Sequence, residues 1–191
     1  MTLKLRSVLV FSLTLIGFSP AVFAHPGHGL EGNLLTGLLH PLTGLDHLLA
    51  MLAVGMYAAQ RGDRSLWAVP AMFVSCAGLG AALAMTGFAL PLLETGIAAS
   101  VLVFGLLLCL GARLALPGGI ALAAGFALFH GFAHGAAAPA GAGLSYALGF
   151  LTATALLHAG GIALASLLRA PRLLRMAGGA IAAVGVLLLA A

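Results

Sequence analysis

Residues 94–113 read ETGIAASVLVFGLLLCLGAR, and between Glu94 and Arg113 there is no Asp, Glu, Lys or Arg. An uncharged apolar run of about 18 residues or more is long enough to cross the roughly 30 Å hydrocarbon core as a helix. Similar stretches flank it, separated by QRGDRS, GFALP, RLALPGG, AAAPAGAG and RAPR. Each break contains Gly, Pro or Arg, the residues expected where helices stop. The sequence predicts helices at about 34–59, 66–87, 91–113, 118–137, 143–169 and 172–190. The composition agrees: 62% hydrophobic, 6% charged and a mean hydropathy of +1.19. A soluble domain is about 45–50% apolar and about 25% charged. The chain therefore reads as all-α, a polytopic membrane helix bundle of about six transmembrane helices in a single domain, residues 25–191. The net charge of +4 is spread over too few residues for a basic patch, so no nucleic-acid partner is expected.

The first residues have another pattern. Lys4 and Arg6 precede the short apolar run VLVFSLTLIGF (8–18), and SPAVFA follows with Pro20 and small residues around Ala24. This is the layout of a cleavable signal peptide, residues 1–24. Cleavage after Ala24 leaves His25 as an extracytoplasmic N-terminus. Six spans from there put Arg61, Arg64, Arg113, Arg169, Arg172 and Arg175 all on the cytoplasmic side, and the outer loops hold no Lys or Arg. That asymmetry follows the positive-inside rule.

Against this background the stretch HPLTGLDHLLAM (40–51) is anomalous. Polar and ionisable groups at membrane depth are costly and mark functional sites by default. On a helical rise of 1.5 Å per residue, Asp46, His47 and His158 fall near helix centres and His130 a little outward. His40 and His134 fall about 10 Å outward on the same side. Glu94, at the outer end of its helix, and the terminal His25 and His28 extend the same route. His130 and His134 are i and i+4, so their rings share one helix face. His40 and His47 are two turns apart, too far to share an ion on a straight helix; Pro41 and Gly44 between them predict a kink or break. Transporters build midplane ion sites from such broken helices. Imidazole suits nickel, cobalt, copper and zinc, and Asp46 supplies the one fixed negative charge. Met51 and Met56 are read as core filling, and Cys76 and Cys109 as small apolar residues rather than a disulfide.

AHPGHG, HPLTGLDHLLAMLAVG, ETGIAASVLVFGLLL, FALFHGFAHG and GFLTATALLHAGG together resemble the HupE/UreJ family, small membrane proteins associated with nickel supply to hydrogenase and urease. The resemblance runs in order to about Gly161. It implies a multi-pass protein of the bacterial inner membrane that imports nickel, or cobalt, as the transported ion, with no organic cofactor and a functional link to hydrogenase or urease maturation. It implies metal-ligating roles for His40, Asp46, His47, Glu94, His130, His134 and His158. Two positions depart from the family pattern: Phe132, where members often carry a further histidine, and Ala137, where they often carry glutamate. The larger nickel–cobalt transporters have His-x₄-Asp-His, whereas five residues separate His40 from Asp46 here, an analogy only.

Two other readings compete. His-x₃-His with a further His and an Asp also fits a membrane-embedded zinc-dependent hydrolase, and paired histidines fit a haem-b subunit. No phosphate-binding loop is visible, so the chain itself is not read as an ATPase.

Overall fold

The computed structural model describes residues 33–168 and 170–191. The expected signal peptide, His25, His28 and Arg169 lie outside the described residues. Seven helices follow in order: α1 Leu34–Thr43, α2 Leu45–Arg61, α3 Ser65–Ala84, α4 Leu93–Leu110, α5 Leu116–Ala136, α6 Leu144–Leu168 and α7 Pro171–Ala190. Among the described residues there is no strand. Helices α3 to α7 are each long and apolar enough to cross a membrane. Their ends fall within a few residues of the sequence-based positions.

The first expected span is broken in two. α1 and α2 meet at an angle of 89°, sharper than a kink, and the local chemistry explains it. Pro41 removes a backbone donor near the end of α1. Thr43 Oγ1 donates to the carbonyl of His40 at 2.7 Å, one of the last carbonyls that the ending helix leaves open. Gly44 then adopts an extended conformation, φ −100 and ψ 122. α2 begins immediately, with the Leu48 amide bonded to the Gly44 carbonyl at 3.0 Å. At its other end α1 is capped by Asn33, whose Oδ1 accepts the Thr36 amide at 3.0 Å, the usual device for an orphan N-terminal donor.

α2 is the buried axis of the bundle. Ala50, Met51, Ala53, Val54, Gly55, Met56, Tyr57 and Ala58 are all buried, while the surrounding helices expose large apolar residues such as Leu79, Leu110, Leu156 and Leu187. An apolar exterior is what a lipid solvent permits.

Close packing is set by glycine, as expected where small residues let membrane helices approach. A Cβ on Gly131 would strike the Ala77 carbonyl, and one on Gly80 the Leu128 carbonyl, so α3 and α5 touch backbone to backbone. Gly105, Gly178 and Gly185 do the same between α4 and α7. Gly55 and Gly161 join α2 to α6, and Gly37 and Gly149 join α1 to α6.

The helix ends near Arg61, Arg64, Arg113 and Arg175 share one end of the bundle. There Gly111 closes α4 in the left-handed region (φ 67), with the Ala112 amide returning to the Leu107 carbonyl at 2.9 Å. Gln60 Nε2 donates to Leu107 and Ala112 carbonyls at 3.2 and 3.1 Å, and Arg61 Nε donates to the Leu114 carbonyl at 2.8 Å. Donors of this kind satisfy the last carbonyls of a helix and favour its dipole. Cys76 and Cys109 are free and half-buried.

Candidate metal site

The opposite, arginine-free end gathers the histidines. Because of the break at Gly44, Asp46 and His47 sit in the first turn of α2 rather than in the middle of a long helix. This places them at the level of the α5 histidines. The His47 ring lies 4.8 Å from that of His130 and 4.6 Å from that of His134, centroid to centroid. The break also swings His40 inward, 5.1 Å from His134. Four imidazoles from α1, α2 and α5 thus form one continuous chain. The i, i+4 spacing of His130 and His134 gives them a shared face, as expected.

His158 stands apart. Its ring packs on Phe73 at 5.0 Å, and Phe73 in turn packs on His130 at 5.7 Å. Counted from the arginine-free ends of their helices at 1.5 Å per residue, His130, Phe73 and His158 lie at about 9, 16 and 21 Å depth. The phenyl ring is interposed in depth between the histidine chain and the deeper His158. Glu94 is also not brought in: it is exposed in the first turn of α4 and makes no ion pair with a described residue. Among the described residues Phe73 packs on both His158 and His130. Among them no three His, Cys, Asp or Glu side chains close around a single metal position.

The hydrogen bonds fix which nitrogens are available. Asp46 Oδ1 accepts the His47 backbone N–H at 2.7 Å and lies 2.9 Å from His47 Nδ1. A carboxylate is acceptor-only, so His47 Nδ1 carries the hydrogen, and in the neutral ring Nε2 keeps a lone pair. Nε2 of His47 is buried and has no hydrogen-bond partner. Ser100 Oγ lies 2.8 Å from His130 Nε2, and His130 Nδ1 is buried without a partner. Both ring nitrogens of His134 and of His158 are likewise buried and unpartnered. Buried polar atoms are nearly always paired in native proteins, and each exception calls for an explanation. Here the exceptions concentrate on imidazole.

Exposure divides the group by helix. The side chains of Asp46 and His47 are 25% and 14% exposed, whereas His130, His134 and His158 are at most 1% exposed.

Sequence reasoning missed several supporting residues. Phe150 stacks on His134 at 5.0 Å, and Tyr146 lies 6.1 Å from His40 and reaches the His134 carbonyl through its hydroxyl at 3.4 Å. Thr154 Oγ1 is buried with no partner, although Ser75, Thr152 and Ser166 each bond a carbonyl of their own helix. The available signal was the i, i+4 spacing of Thr154 and His158 on α6.

The HupE/UreJ family model, described as HupE / UreJ protein, matches residues 13–188. The chain is 40% identical to Protein HupE of Rhizobium leguminosarum bv. viciae over 187 residues, covering 96% of this chain and 97% of that one. No solved structure matches.

Proposed function

The chain belongs to the HupE/UreJ family, and from that premise we propose that it carries divalent nickel, or cobalt, into the cell along the imidazole chain. The family consists of permease-like membrane proteins associated with nickel and cobalt transport rather than enzymes. The hydrolase and haem readings of the histidines are set aside for that reason.

One observation carries the proposal: six buried ring nitrogens on His47, His130, His134 and His158 have no hydrogen-bond partner. A neutral imidazole keeps one lone pair, so the four rings offer four; such lone pairs are ligands for borderline divalent metals, and no thiolate is present in the group to favour Cu(I). From His40 through His134 and His47 to His130, neighbouring rings are 4.6 to 5.1 Å apart, so a cation shedding water finds successive donors along that stretch. A row of donors with no closed coordination sphere suits an ion in passage better than one held permanently.

Asp46 contributes charge. A dication about 5 Å from a carboxylate gains on the order of 6 kcal/mol at an effective dielectric of about 20. That offsets part of the cost of leaving water, which for an isolated ion in a low-dielectric interior is several kcal/mol or more. The orientation follows the positive-inside rule: the arginine-bearing end faces the cytoplasm and the histidine-bearing end faces outward. Metal would meet Asp46, His40 and His47 first, pass His134 and His130, and cross the level of Phe73 to reach His158. The handover to hydrogenase or urease maturation belongs to the same proposal.

The test is uptake of radiolabelled nickel by cells expressing the chain, against His47→Ala and His130→Ala at matched amounts in the membrane. Each substitution is expected to lower uptake about tenfold or more, the scale on which metal-site groups act. Unchanged uptake in both variants would overturn the proposal.

A further inference from the structure

Ser100 is a buried polar residue that the transport path above does not use. It lies on α4, wholly buried, one helix away from the histidine-bearing α5. Ser75, Thr152 and Ser166 are exposed and simply return their hydroxyls to the carbonyl four residues back. Ser100 has two partners: the Ile97 carbonyl oxygen at 2.6 Å and His130 Nε2 at 2.8 Å.

A hydroxyl has one hydrogen to give and lone pairs to receive, so the two contacts are not equivalent. If the hydrogen pointed to His130 Nε2, two oxygens would face each other at 2.6 Å with no hydrogen between them. His130 Nδ1 would then carry the ring hydrogen, a buried donor with no acceptor. If the hydrogen points to the Ile97 carbonyl, both contacts are satisfied. Ser100 Oγ then accepts from His130 Nε2–H, and Nδ1 keeps a bare lone pair. A buried donor left unsatisfied forfeits its desolvation cost with nothing in return, so the second arrangement dominates.

We propose that Ser100 is a positioning residue: it holds His130 in the Nε2–H tautomer and so makes Nδ1 the atom offered to the cation. Asp46 treats His47 in mirror fashion, taking the Nδ1 hydrogen and leaving Nε2 bare. The ring facing Asp46 offers one nitrogen and the ring facing Ser100 the other, and the two imidazoles meet at nearly a right angle, 87° between planes. The purpose assigned to Ser100 rests on the permease reading; its geometry does not.

The experiment is nitrogen NMR of metal-free protein labelled on histidine, with the His130 signals identified by their loss in His130→Gln. Wild type is expected to show the His130 ring hydrogen on Nε2, slow to exchange with solvent. Ser100→Ala removes the acceptor, so that protected signal is lost, and nickel affinity of the purified protein falls about 10- to 100-fold, the usual effect of removing a ligand-orienting partner. Ser100→Thr keeps the hydroxyl and retains both the signal and the affinity. A hydrogen on Nδ1 in wild type, or unchanged signal and affinity in Ser100→Ala, would overturn the inference. The permease reading fails separately, through nickel uptake indifferent to His47→Ala and His130→Ala, while the tautomer result would stand.

Discussion

His40 and His134 meet edge to face with ring centroids 5.1 Å apart, although one belongs to α1 and the other to the last turns of α5. The 89° turn between α1 and α2 makes that meeting possible. On an unbroken first helix the two turns between His40 and His47 would have kept both from reaching His134.

Gly44 is therefore a sensitive position. Its φ is negative, so a side chain is not forbidden by the backbone. A Cβ there would nevertheless lie 2.7 Å from Asp46 Oδ1 and 3.2 Å from His47 Nδ1. Gly44→Ala is expected to displace the carboxylate from His47 and to lower nickel uptake about tenfold, as loss of a ligand-orienting contact does. Uptake at matched protein level checks it.

Asp46 acts through charge and through a hydrogen bond, and two substitutions separate them. Asp46→Asn keeps an oxygen that accepts His47 Nδ1–H but has no net charge; Asp46→Ala loses both. Nickel binding by the purified protein is expected to weaken in the order wild type, Asn, Ala, with Asn closer to Ala if charge dominates. Equal affinity in all three would remove Asp46 from the site.

His158 and His134 are expected to differ. His134 touches His40 and His47, whereas His158 lies beyond Phe73. His134→Ala is expected to weaken nickel binding about tenfold or more. His158→Ala is expected to leave equilibrium binding within a few-fold while slowing uptake. Comparing titration with uptake for the two variants tests the assignment.

Glycine substitutions should split by location. Gly161→Ala forces a Cβ into the Leu52 carbonyl, and overpacking of this kind costs about 1–3 kcal/mol. Gly125 has open space where a Cβ would go, so Gly125→Ala is expected to stabilise by about 0.5–1 kcal/mol through helix propensity. Thermal unfolding in detergent should move in opposite directions for the two.

Much of the fold was legible because its signals are cumulative. Helices α3 to α7 follow from long uncharged runs, and their separations from Gly, Pro and Arg. The break at Gly44 was half-visible: Pro41 and Gly44 announce a weak point, but the angle depends on Gly37, Gly55 and α6 packing, which no local pattern encodes. For the site, the i, i+4 pair His130 and His134 was readable because one helix carries both. The separation of His158 from the group was not, since it depends on Phe73 from another helix. Ser100 was invisible for a similar reason. In sequence it is one more small residue in an apolar run, and only its contact with His130 distinguishes it.

The glycine contacts also decide where the protein is stiff. Where backbone meets backbone they bind α3 to α5, α4 to α7, and α6 to both α1 and α2, giving three internally welded blocks that meet one another through side chains such as Phe129 on Gly96. His130 and His134 ride on the first block, Ser100 on the second, and His40, Asp46, His47 and His158 on the third. Every pairing that matters to the cation, apart from those within a block, spans a seam. A slide of an ångström or so between blocks would regroup the donors around the ion without disturbing any block's interior.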